Sequence, residues 1–96
     1  MQLRYTFRFQ QIGETWLGAA VGQNAHLFNG VLQLNEVGHF IVFRLTELTA
    51  REEIPAQAVI DRLIDALIHE YEVDPPTAQQ AVTQVIHYLQ NEGVLI

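Results

Sequence analysis

The chain has 96 residues, of which 49% are hydrophobic, and its five arginines and eleven acidic residues give a net charge of −6. This length predicts a single domain over residues 1–96, and the negative charge argues against nucleic acid as a partner. The sequence has no cysteine, no serine and no Gly-rich phosphate loop, which excludes disulfides, serine or cysteine nucleophiles and P-loop chemistry. It shows no apolar run of bilayer length and no signal-peptide pattern, so we expect a cytoplasmic protein without membrane spans.

The first third of the chain predicts three strands. Residues 3–12 alternate between apolar and polar side chains, the period of a half-buried strand. A second strand is expected at Thr15–Val21, where Gly18 weakens it or marks a bulge. A third is expected over residues 26–34. Its Asn29-Gly30 dipeptide is typical of a two-residue hairpin or of a kink, and the short flanking halves favour the kink.

The rest of the chain predicts helices. Asn35 as N-cap and Glu36 in the first turn begin a helix over about residues 36–46. A loop or single turn is expected over residues 47–54, and Pro55 is the predicted first residue of the second helix. The apolar face of this second helix comprises Val59, Ile60, Leu63, Ile64, Leu67 and Tyr71.

A third helix is expected after Asp74. Because Pro75 precedes another proline, the regular helix should begin at residue 76 or 77. Gly93 is the predicted left-handed cap, and residues 94–96 should fold back onto the core. The pattern predicts an α+β domain, a three-stranded antiparallel sheet followed by three helices, and winged helix-turn-helix proteins are built from these parts.

Two surfaces are candidates for binding. Residues 31–34 could form an open strand edge that pairs with a guest peptide, or an edge covered by the chain's own tail or by a second copy. The polar side of the third helix could be a groove wall or an ordinary solvated face. Its uncharged residues are Gln79, Gln80, Thr83, Gln84, His87 and Gln90, with Tyr88 beside them.

Other functional classes have less support. The four histidines lie on different elements without paired spacing, and no pair of carboxylates stands out. We therefore expect no metal, no cofactor and no enzymatic activity. Trp16 and the row Tyr5, Phe7 and Phe9 are expected in the core. Since one small domain does not easily hide this aromatic strand, a homodimer is also expected.

The stretch FNGVLQLNEVGHFI, residues 28–41, resembles the strand-to-helix signature of PqqD-like proteins. Further similar positions follow in the same order: residues 70–74 (EYEVD), Ala78, Ala81, Val82, Leu89 and residues 93–96 (GVLI). The resemblance covers the chain from about residue 7 to its end. Two features depart from the family pattern: residues 47–58 form a longer connection, and Val42 and Phe43 stand where the family often has tryptophan.

The resemblance implies a RiPP recognition element, a winged helix-turn-helix module that binds the leader segment of a ribosomally made precursor peptide. Such modules present the leader to a modifying enzyme, typically a radical SAM enzyme, and are not catalytic. The leader adds a strand to the third strand, in a groove walled by the third helix. On this basis the predicted strand residues are Val31, Leu32, Gln33 and Leu34. The predicted helix residues are Gln80, Val82, Gln84, Val85, Ile86 and His87.

The alternative function is that of a winged-helix DNA-binding regulator. Such a protein needs a basic recognition helix. The third helix has neither arginine nor lysine between residues 75 and 93, so the charge disfavours this alternative.

Overall fold

A computed structural model describes residues 1–51 and 54–96. The predicted class is confirmed, because a three-stranded antiparallel sheet is followed by three helices. The strands are β1 (Thr6–Ile12), β2 (Thr15–Val21) and β3 (Leu32–Leu34), and the helices are α1 (Glu36–Arg51), α2 (Ala56–Tyr71) and α3 (Pro75–Asn91).

The sheet has the order β1-β2-β3, so β2 is central. Phe9 lies opposite Gly18, which in turn lies opposite Leu32. The Phe9 ring covers Gly18 so closely that a Cβ atom there would come within 2.5 Å of the ring. Gly18 therefore makes room for an aromatic side chain in a continuous register, and it does not mark a bulge.

The third strand is shorter than predicted. Residues 26–34 were expected to be extended, but Ala25–Leu27 forms one turn of 3₁₀ helix and only Leu32–Leu34 pairs with β2. Gly30 has φ +91°, a conformation that glycine adopts without steric cost. It redirects the chain just before the strand, so the kink interpretation of Asn29-Gly30 is correct.

Helix α1 is longer than predicted. Residues 47–51 continue it, whereas residues 52 and 53 of the expected loop lie outside the described residues. The Thr46 and Thr49 hydroxyls donate to the carbonyl groups of Val42 and Leu45, one turn earlier. These bonds satisfy polar side chains within the helix, so threonine does not end it here.

The other two helices begin within two residues of the predicted positions. Helix α2 begins at Ala56 with Pro55 as its N-cap, one residue late. Helix α3 begins at Pro75, earlier than expected, because neither proline needs an N–H donor in the first turn. The Asp74 carboxylate accepts a 2.6 Å hydrogen bond from the Thr77 hydroxyl, and this bond lowers the pKa of Asp74.

The C-terminal segment returns to the core as predicted. Gly93 takes φ +74° after α3, and Val94 and Leu95 are buried. The core joins β3, the inner sides of all three helices and this segment. Its buried hydrophobic residues are Leu32, Leu34, Ile41, Val42, Leu45, Val59, Leu63, Leu67, Ala78, Val82, Ile86, Leu89, Val94 and Leu95. Within the described ranges, no helix combines the length and the apolarity required to cross a membrane.

Candidate peptide groove at the edge of the sheet

Strand β3 lies at an edge of the sheet. Its hydrogen-bonded neighbour is β2, and no strand pairs with its other side in the described part of the chain. The C-terminal tail pairs elsewhere: the Arg4 N–H donates to the Val94 carbonyl at 2.8 Å, and the Ile96 N–H donates to the Gln2 carbonyl at 2.9 Å. The chain's own tail therefore does not cover this edge.

The register determines which backbone groups face outward. Ile12 pairs with Thr15 across a two-residue turn, and the backbone groups of successive residues in a strand point to opposite sides. Continued across the sheet, this alternation directs the N–H groups of Leu32 and Leu34 toward β2 and that of Gln33 toward the open edge. The observed hydrogen bonding agrees, because the Gln33 N–H donates to the Tyr88 hydroxyl at 3.1 Å.

The four predicted strand residues divide into two pairs. Leu32 and Leu34 are 0% and 6% exposed and belong to the core. Val31 and Gln33 are exposed. The leucines thus anchor the strand, while the other two residues present side chains and backbone groups to the surface.

The predicted residues of α3 also divide. Val82 and Ile86 are buried in the core, and Val85 is partly buried. Gln80, Gln84 and His87 are exposed. In this conformation Val82 and Ile86 fix the position of α3, and the more accessible side chains form the outer surface of the helix.

Tyr88 is the side chain that joins α3 to the strand edge, and it was absent from the predicted site. Its ring is partly buried, and its hydroxyl reaches the backbone of Gln33, 55 residues earlier. Ala81 and Gln84 precede it on the same flank of the helix at spacings of seven and four residues. The signal available in the sequence was a single large side chain with a hydroxyl beside an uncharged polar face.

A cleft of about 500 Å³ lies at the C-terminal end of β3. It is lined by Glu14, Thr15, Gln33, Leu34, Asn35 and Tyr88. A neighbouring cleft of about 350 Å³ shares Glu14 and Asn35 with it and adds Glu36. Every charged side chain lining the two clefts is a carboxylate, so this end of the strand favours positively charged groups.

The start of α1 fixes the end of β3. The Asn35 side-chain oxygen accepts a 2.7 Å hydrogen bond from the Gly38 N–H, which confirms the predicted N-cap. A Cβ atom on Gly38 would lie 3.3 Å from a Leu34 methyl carbon. The absence of a side chain at Gly38 therefore lets the first turn of α1 lie directly against the strand.

The aromatic row of the sheet lies away from this groove. His39 of α1 stacks on Trp16 at 3.8 Å between ring centroids, and its ring also meets Phe9 edge-on at 4.9 Å. Phe28 contacts the rings of Tyr5 and Phe7. Trp16, Tyr5, Phe7 and Phe9 were expected in the core, but they are only partly buried and pack against it. Burial lowers the pKa of His39.

The rest of the described residues form a further cleft but no metal-ligand cluster. Across residues 1–51 and 54–96, no group of histidine, aspartate and glutamate side chains could hold a metal ion. A separate cleft of about 470 Å³ lies between α1 and α2. Its lining residues are Phe40, Arg44, Leu48, Arg62, Asp65, Ala66, His69 and Glu70, none of which was predicted to bind peptide.

Comparisons with known proteins agree with the predicted resemblance. The family model described as coenzyme PQQ synthesis protein D (PqqD) matches residues 26–95, which include β3 and all three helices. The solved structure of TbiB1 in complex with the TbiA(beta) leader peptide is similar in fold, with a TM-score of 0.60 and 20% sequence identity. The alignment covers 99% of this chain and 94% of that chain. No curated protein matches the sequence.

Proposed function

We propose that this chain, which belongs to the PqqD family, binds a peptide as an added strand along the open edge of β3. The observation that carries the proposal is the outward-facing N–H of Gln33 beside α3. Main-chain pairing at such an edge supplies affinity, and neighbouring side chains supply selectivity. The similar fold of TbiB1, which is bound to a leader peptide, supports the choice of ligand.

The peptide is the leader segment of a ribosomally made precursor. The chain acts as a non-catalytic adaptor that presents this leader to a modifying enzyme of the radical SAM type. Its residue inventory supports an adaptor, since serine and cysteine nucleophiles are absent from the sequence. The lack of arginine and lysine in α3 disfavours the alternative of a DNA-binding regulator.

The guest backbone pairs with the outward groups of Val31 and Gln33. Its side chains pack toward Val85 of α3, while Gln80, Gln84 and His87 hydrogen-bond along the rim. Leu32, Leu34, Val82 and Ile86 form the apolar layer beneath the groove and keep the strand and the helix in place. At the C-terminal end of β3, Glu14 and Glu36 favour a guest with basic residues.

Backbone amide shifts provide a direct test. The probes are candidate leaders, each a synthetic N-terminal segment of a short reading frame in the neighbourhood of this chain's gene, titrated into ¹⁵N-labelled protein. The TbiA(beta) leader peptide and a random DNA duplex serve as comparison ligands. We expect the largest shifts in residues 31–34 and 81–88. Shifts confined to residues 3–21, or tighter binding of DNA than of the leader, would contradict the proposal.

A further inference from the structure

Tyr88 occupies the position that a guest strand needs. Within β3, Gln33 is the residue whose N–H points away from β2, and this N–H donates to the Tyr88 hydroxyl. A guest strand pairing at this point would place its own carbonyl oxygen there. One N–H makes one strong hydrogen bond, so the tyrosine hydroxyl and the guest carbonyl compete for the same donor.

We propose that Tyr88 is a latch on the peptide groove: its hydroxyl caps the edge of β3 in the free protein, and a leader must displace it in order to pair. This inference rests on the proposed function and adds a selection step to it. A guest gains the backbone bond only by breaking an existing one. Peptides with few further contacts in the groove are therefore rejected more strongly than they would be at an uncapped edge.

The opposite edge of the sheet shows what an uncapped edge looks like. By the same alternation, Phe7, Phe9 and Gln11 direct their N–H groups away from β2. In the described residues, no side chain hydrogen-bonds to them, whereas Tyr88 reaches across from another element to cap Gln33. The latch is thus specific to the edge beside α3.

The test compares Tyr88→Phe with Tyr71→Phe. Both variants lose one tyrosine hydroxyl, but Tyr71 lies on α2 and its ring contacts Phe40, away from the strand edge. In the free protein, Tyr88→Phe should speed hydrogen exchange at the Gln33 amide. It should also tighten binding of the labelled leader by about two- to tenfold, the equivalent of one net hydrogen bond. Tyr71→Phe should change neither quantity, and thermal melts establish that both variants are folded.

Two results would overturn the latch alone. One is Gln33 exchange that is unchanged in Tyr88→Phe, since the hydroxyl would then not protect the amide in solution. The other is leader binding that is unchanged or weaker in Tyr88→Phe, since the hydroxyl would then be neutral or helpful to the guest. If the leader binds neither wild type nor either variant, the proposed function fails and the latch fails with it.

Discussion

The two edges of the sheet differ in length and in surroundings. Strand β1 is seven residues long and directs three N–H groups outward, whereas β3 has three residues and a single outward N–H. Helix α1 packs against β2 and β3, and Tyr88 of α3 reaches the edge of β3. The shorter edge therefore has side chains of α1 and α3 beside it, which a bound peptide would contact. Pairing capacity alone would favour β1, so the proposed choice of β3 rests on the elements beside that edge, which would supply the selectivity.

The largest expected effect is the loss of leader binding when the outward N–H of β3 is removed, compared with removal of an outward N–H of β1. Gln33→Pro deletes the donor that the guest needs, and it should weaken leader binding roughly 5- to 150-fold, the equivalent of about 1–3 kcal/mol for an unmade buried bond. Gln11→Pro is the matched control, because Gln11 is also an exposed glutamine whose N–H faces away from β2. It should leave leader affinity unchanged. Isothermal titration with the leader peptide measures both.

The reverse pattern would be informative. If Gln11→Pro abolishes binding and Gln33→Pro does not, the guest pairs with β1 and the groove beside α3 is not the peptide site. Proline is tolerated on an edge strand when its missing N–H takes no part in the sheet ladder. Gln33→Pro loses only the bond to the Tyr88 hydroxyl, and Gln11→Pro loses none within the sheet, so both variants should fold. Circular dichroism melts check this before any titration.

The second prediction concerns self-association, for which the longer edge is better suited. We expect a weak homodimer through the exposed edge of β1, where Ile12 is 57% exposed. Gln11→Pro should weaken this dimer about tenfold by removing a backbone bond, and Gln33→Pro should not. Sedimentation equilibrium over a range of concentrations measures the effect. A wild-type chain that remains monomeric at high concentration would show that the β1 edge stays unpaired.

The third prediction concerns how β3 is held. Replacing Gly38 with leucine would force a side chain between the first turn of α1 and Leu34. Overpacking of this kind costs about 1–3 kcal/mol of folding stability. It should also weaken leader binding, because the strand edge shifts with Leu34. Urea unfolding measures the stability change, and Ala19→Leu, an enlargement at an exposed position of β2, is the comparison. Stability unchanged by Gly38→Leu would mean that this contact is loose.

Local signals in the sequence predicted most elements, and contacts between distant residues explain the misses. Period-two alternation identified β1, and β2 has the predicted bounds. The Asn35 cap and the Gly93 cap were correct because each depends on neighbouring residues. The length of β3 depends on its register with β2, which short-range pattern does not encode. Tyr88 was missed as a site residue for the same reason: its partner is 55 residues away.

The smallest expected effect is a pH dependence of stability that comes from His39 beside the aromatic row of the sheet and not from the groove beside β3. His39 stacks on Trp16 and contacts Phe9, and burial lowers the pKa of His39. The folded state therefore binds a proton less readily than the unfolded chain does. Stability from this site is fully present above about pH 6.5, the ordinary histidine pKa, and is lost as pH falls through the lower pKa of the folded state. The pKa of Asp74 is also lowered, but from 3.8, so Asp74 titrates below this range.

Trp16 is the single tryptophan of the chain, so its fluorescence reports on His39 directly. As pH falls below about 6.5 we expect the melting temperature to fall slightly, and we expect the fluorescence of the folded protein to change as pH passes through the lower folded-state pKa of His39. His39→Gln should flatten both curves. His87→Gln, an exposed change on the groove side, should leave them as in wild type. If His39→Gln retains the full pH response, another group titrates beside Trp16. If His87→Gln abolishes it, the pH-sensitive contact lies at the β3 groove and the assignment to the aromatic side of the sheet is wrong.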